Sequence, residues 1–170
     1  VLFLGRLVPE KGVKYLIEAW KNVKTDKKLV IAGGSSDTDE YFRKLQEMSA
    51  GDDRIIFTGF VQGELLEELY SNSYMYILPS DLEGMPLSLL EAMSYGNCCV
   101  VSDIPECVEV VKDRAIVFDR GNVNELRRRL QSLIEMPDLV KEYKNNAANY
   151  ITEKYNWDDV LDKTLEVYAR

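Results

Sequence analysis

At 170 residues, 46% of them hydrophobic and 29% charged, the chain is long enough for one domain with a sizeable core. A formal charge of −8 argues against nucleic acid as the main partner. The absence of histidine removes a Ser-His-Asp triad, a histidine general base and a His-ligated metal. Cys98, Cys99 and Cys107 are odd in number and two lie in an apolar run, which fits reduced core thiols. No signal peptide, repeat or membrane-length apolar run is visible. The chain begins at Val1 inside an apolar run, as an excised piece of a longer protein would.

Val1 to Gly5 reads as a buried strand, followed by a polar loop from Arg6 to Gly12. Tyr15, Leu16, Ala19, Trp20 and Val23 then recur at helical spacing. Leu29 to Ala32 is a second strand, closed by Gly33 and Gly34. Asp37 or Thr38 is expected to cap a second helix, with Tyr41, Phe42, Leu45 and Met48 on its apolar face. Arg54 to Thr58 is a third strand, stopped by Gly59, and Gln62 to Ser71 a third helix. Tyr74 to Leu78 is a fourth strand, ended by Pro79. A helix then runs from Pro86, suited to its first turn, to Gly96, suited to the left-handed position after its last. Cys98 to Ser102 and Ala115 to Phe118 are further strands, with a short helix from Pro105 to Val111 between them. Three closing helices occupy 123–136, 137–155 and 158–169; Arg127, Arg128 and Arg129 read as a solvated face of the first.

Short apolar strands alternating with helices predict a doubly wound parallel six-stranded sheet, Rossmann-like, with helices on both faces. Such a sheet binds its ligand beyond the carboxyl ends of the strands. Arg6 and Lys11, Gly33 and Gly34, Gly59, and the loop from Glu83 to Pro86 all follow strands, so they gather at one edge.

The helix after Pro86 is apolar on nearly every side, through Leu87, Leu89, Leu90, Ala92 and Met93, and is expected to be buried. Glu91 sits in its middle and Glu83 in the loop that feeds it. Taken alone, Glu91 reads better as a salt bridge or backbone cap than as a ligand contact. Arg6 or Lys11 alone reads as surface charge flanking Glu10. Together with a helix N-terminus and the open backbone of Gly84, they make an anion site of the phosphate kind. Pro86 to Glu91 spans about 7.5 Å of helix. A diphosphate at the helix start would therefore leave Glu91 within reach of an adjoining ribose.

Four motifs recur in order: Gly5-Arg6-Leu7-Val8-Pro9-Glu10-Lys11-Gly12, Ile31-Ala32-Gly33-Gly34, Thr58-Gly59-Phe60-Val61, and Glu83 with Glu91 in a Glu-x7-Glu pattern. With them the chain resembles the C-terminal, donor-binding half of a retaining glycosyltransferase of GT-B fold, in the glycosyltransferase group 1 family. The resemblance implies that residues 1–170 are one nucleotide-sugar donor domain, closing helices included, and that an N-terminal acceptor domain lies outside this chain. It implies that Arg6 and Lys11 hold the donor diphosphate as it leaves, that Glu83 contacts the donor sugar, and that Glu91 bonds the ribose. The amides of Gly84 and Met85 would face the sugar, those of Leu87 and Ser88 the phosphates, and the backbone near Val61 the base, with Gly33 on the neighbouring loop. No cofactor or metal is expected, since cations and a helix dipole do the metal's work. A UDP-, GDP- or ADP-sugar is the implied donor, and no nucleic acid a partner. The isolated domain is expected to be inactive. The full enzyme is expected in the cytoplasm, at the inner face of the membrane if it associates with one.

The sequence departs from the family at Met85, where Phe is common, and at Cys98, where Pro is common. It also has fewer glycines than usual in the loop from Asp103 to Glu106. A sugar-nucleotide epimerase or phosphorylase of the same architecture is one alternative, without this pairing of Arg-x4-Lys and Glu-x7-Glu. A non-catalytic nucleotide-binding module is the other. The first loop has neither the acidic cluster of a receiver domain nor the Gly-x-Gly-x-x-Gly of a dinucleotide oxidoreductase.

Overall fold

The computed structural model describes residues 1–35, 39–155 and 157–168. The expected capping residues Asp37 and Thr38 lie outside them, as does Ala169. Six parallel strands form one sheet: β1 (Leu2–Leu4), β2 (Leu29–Ala32), β3 (Ile55–Gly59), β4 (Tyr76–Leu78), β5 (Cys99–Ser102) and β6 (Ile116–Phe118). Their order is β3-β2-β1-β4-β5-β6, so the chain winds outward from β1 in one direction and then in the other. Right-handed crossovers consequently place the helices of the two halves on opposite faces. The doubly wound parallel sheet expected from the sequence is the observed fold.

One face carries α1 (Val13–Trp20) and α2 (Asp39–Ser49), joined by α6 (Val123–Glu135), which packs on α1. The other carries α3 (Glu64–Asn72), α4 (Leu87–Ser94) and α5 (Pro105–Val111), joined by α7 (Pro137–Lys154), which packs on α4. The largest fully buried side chains are Trp20, Tyr70, Tyr76, Phe3 and Phe118. All three cysteines are buried and unbridged, as expected.

Strands are shorter than the apolar runs, because pairing begins only where neighbours come into register, as at Leu2 opposite Tyr76. β4 and β5 are buried throughout, but β3, at the sheet's edge, alternates between partly covered and exposed residues. The last helix, α8 (Trp157–Tyr168), leaves Leu161, Leu165, Val167 and Tyr168 exposed.

Candidate functional site

The loops at the carboxyl edge are stitched by backbone hydrogen bonds. The Gly5 amide donates to Ala32 O (3.0 Å), Leu7 to Gly34 O (3.0 Å), Gly33 to Gly59 O (2.8 Å) and Asp81 to Glu10 O (2.7 Å). Two glycines make this closeness possible. A Cβ on Gly33 would lie 1.8 Å from Gly5 O, and one on Gly12 2.0 Å from Pro79 O, both at positive φ. The role of Gly33 visible here is to seat the β1 loop on the β2 loop.

Lys11 closes a 3₁₀ turn, Pro9–Lys11, that ends at left-handed Gly12. Its Nζ donates to both carboxylate oxygens of Glu83, at 2.7 Å each. Ser80 Oγ, fully buried, donates to Glu83 Oε1 at 2.7 Å, and Ser102 Oγ donates to the carbonyl of Ser80. Glu83, expected at the loop mouth, is thus buried, with only 9% of its surface exposed. A carboxylate withdrawn from water needs a cation and hydrogen-bond donors, and Lys11 and Ser80 supply them. Lys11 keeps 18% of its side chain open to solvent. Arg6 is exposed and has no ion pair among the described residues.

Pro86 does not stand in the first turn of α4. It is the N-cap, with φ −78° and ψ 72°, an inverse γ-turn that directs the Leu87 amide to Met85 O at 2.8 Å. The Leu87 amide, expected to face a phosphate, is therefore already spent. The amides of Gly84, Met85 and Ser88 meet no acceptor among the described residues, and a Cβ on Gly84 would meet nothing within 4 Å. The start of α4 is thus an uncapped array of donors at the positive end of a helix. At the other end Gly96 is left-handed, φ 70°, as expected.

The structure also corrects the burial of α4. Leu87 is 53% exposed and Glu91 is exposed, because the helix packs mainly on β4, β5 and α7 and the described residues leave its crevice side open. Glu91 needs no buried cation. Its Oε2 accepts from the hydroxyl of Tyr70 on α3 at 2.9 Å. Ser88 Oγ is bonded to the hydroxyl of buried Tyr76 at 2.8 Å. Burial pushes both tyrosine hydroxyls well above their ordinary range, so they remain protonated. Val61 is buried beside Phe60, which is 75% exposed at the mouth of the β3 loop.

The structure therefore joins Lys11 to Glu83, and Glu91 to α3, along one sheet edge. Sequence reading passed over Ser80, Ser102 and Tyr70. Tyr70, the only aromatic residue of an otherwise acidic helix, carried a faint signal; the serines carried none.

Fold and site together define a doubly wound domain with open backbone amides and a lysine–glutamate pair at the carboxyl edge of its sheet. The family Glycosyl transferases group 1 matches residues 1–150, and the chain belongs to it. A glycosyltransferase of Methanocaldococcus jannaschii, MJ1607, is 32% identical over 172 residues, covering 99% of this chain and 44% of its own length. The alpha-maltose-1-phosphate synthase of Mycolicibacterium smegmatis is 26% identical over 183 residues, covering all of this chain and 47% of its own. Among solved structures, Anabaena Alr3699/HepE in complex with UDP and glucose superposes with a TM-score of 0.91 at 19% identity, over 99% of this chain and 47% of that one. This likeness establishes the fold, one Rossmann-like half of the GT-B architecture. The chain spans about half the length of the relatives it matches. Among the described residues no helix is long and apolar enough to cross a membrane.

Proposed function

We propose that this chain is the donor-binding domain of a retaining glycosyltransferase that moves a sugar from a nucleoside diphosphate sugar to an acceptor. The observation that carries the reading is the convergence of the Lys11–Glu83 pair, the open amides of Gly84, Met85 and Ser88, and Glu91 on one edge of the sheet. In this reading the diphosphate lies across the start of α4, where the amides and Lys11 meet its charge and Arg6 folds in from the exposed β1 loop. Positive charge fixed at the leaving group stabilises the transition state more than the ground state, which is the differential binding that accelerates transfer. Arg6, Lys11 and the helix dipole take the place of a metal. Glu83 directs its carboxylate to the sugar, Glu91 takes the ribose hydroxyls, and the backbone at Val61 borders the base. A second domain, N-terminal to this one, supplies the acceptor wall, and the full enzyme works in the cytoplasm. The UDP and glucose in the Anabaena complex support this class of donor.

Calorimetry with UDP, GDP and ADP on the 170-residue chain tests the reading. At least one should bind weakly, at up to millimolar ligand, and the chain alone should transfer no sugar to an added acceptor. Heat from none of the three would remove the donor site, and transfer by the chain alone would remove the need for a second wall.

A further inference from the structure

Glu91 stands on the uncovered side of α4, where a carboxylate would ordinarily sample several rotamers. It is nevertheless held, and the group that holds it belongs to a different element. The Tyr70 hydroxyl lies 2.9 Å from Glu91 Oε2 and 3.2 Å from the carbonyl of Ser88, and its one proton favours the nearer, charged acceptor. The Tyr70 ring is 1% exposed and stacks on Tyr95, with centroids 5.3 Å apart and planes 18° from parallel. The backbone behind it is fixed too. Buried Asn97 donates to Tyr70 O at 2.9 Å and to Ala92 O at 3.1 Å, tying the end of α3 to the end of α4. The donor is therefore rigid on a rigid base, and only Glu91 adjusts to it.

We infer that Tyr70 is a positioning residue for donor recognition: its hydroxyl locks Glu91 through Oε2 and leaves Oε1 aimed at the ribose hydroxyls of the donor nucleotide. The inference rests on the donor-site reading above. A carboxylate already oriented gives up less side-chain freedom on binding, so the hydroxyl contributes affinity without touching the ligand. Burial pushes the Tyr70 hydroxyl well above its ordinary range, so it remains a donor at neutral pH.

Tyr70→Phe removes one oxygen and keeps the ring stack. The affinities of UDP, GDP and ADP, and of their 2′,3′-dideoxy counterparts, would be measured for the wild-type chain, Tyr70→Phe and Glu91→Ala, with melting temperatures alongside. The wild type should prefer the ribose form of its best ligand by about tenfold or more. Glu91→Ala should abolish that preference, and Tyr70→Phe should cut it severalfold while leaving the dideoxy affinity unchanged. Equal weakening of ribose and dideoxy forms would make Tyr70 merely structural, and an unchanged preference would also overturn the inference; both leave the donor site standing. If no diphosphate binds the wild type, the donor reading falls and the inference with it.

Discussion

Lys11 shows how a residue's neighbours change what its removal means. In a polar loop between Pro9 and Gly12, its truncation looks harmless to the fold. In the structure it neutralises buried Glu83, so Lys11→Ala strands a carboxylate that only Ser80 still satisfies. The loss in stability should be about 3–5 kcal/mol. Adding Glu83→Ala should restore much of that, because the unpaired charge goes with it. Turnover behaves differently. On the proposed donor-site reading, removal of Lys11 as a leaving-group cation should lower it on the order of 10²–10³-fold, and the double variant should not recover it. Urea melts and transfer kinetics of the full enzyme, for both single variants and the double, check both halves. A double variant whose loss equals the sum of the two single losses would show that the pair is not energetically coupled. The pairing itself was not legible beforehand, since Lys11 and Glu83 are 72 positions apart and a shared sheet edge does not say which charges meet. What could be read was the local part: Pro9 and Gly12 marking a turn, and Gly96 ending a helix.

Among the elements, one side chain ties the end of α1 and the turn after it to the start of β3. Arg54, just before β3, donates to Val23 O (2.7 Å), Thr25 O (3.2 Å) and Trp20 O (3.3 Å), and forks onto Asp52 (2.8 and 2.7 Å). A lysine has the charge without the planar fork. Arg54→Lys should therefore cost about 1–3 kcal/mol. The hydrogen bonds from Arg54 hold the Asp52 carboxyl below its ordinary range. A carboxyl lowered by folding contributes its stability above its unfolded pKa and loses it as pH falls through the folded value. The stability gap between wild type and Arg54→Lys should accordingly be full at pH 6 and shrink below about pH 4. Thermal melts at pH 6 and pH 3 measure it, and a gap that did not narrow would contradict the assignment. At this scale the sequence was informative about which elements exist, because apolar runs of four or five residues between helical patterns leave few alternatives. It misled about cover: Leu87, Leu89 and Leu90 suggested a helix buried all round, yet a helical wheel cannot reveal that the crevice side has no neighbouring layer.

For the molecule as a whole, the thiols offer a reporter. Burial pushes Cys98 and Cys107 up to about 12 and Cys99 well above its ordinary value, and all three line the core around β5 and α5. At pH 8 they should be almost wholly neutral and out of reach of a thiol reagent. Labelling in rising urea should follow the loss of helical circular dichroism with one midpoint. Rapid labelling of the native chain would mean that this part of the core opens independently. The overall winding was legible from strand–helix alternation alone. The partners of α8 were not, and its Leu161 and Leu165 lie exposed, uncovered by the other described residues.

The strand order has a further consequence, in time rather than space. β1 comes before the other five strands of this sheet in the chain, yet it lies in the middle of the sheet, between β2 and β4. By the time β3 has left the ribosome, a three-stranded half-sheet can form, with β1 as its open edge. That edge, Leu2-Phe3-Leu4, is apolar and unpaired until β4 arrives about 17 residues later, roughly one to three seconds at ordinary synthesis rates. The helix made in that interval, α3, carries Glu64 and Glu67 in its first turn. A nascent chain that pauses there would present a waiting template to any passing strand.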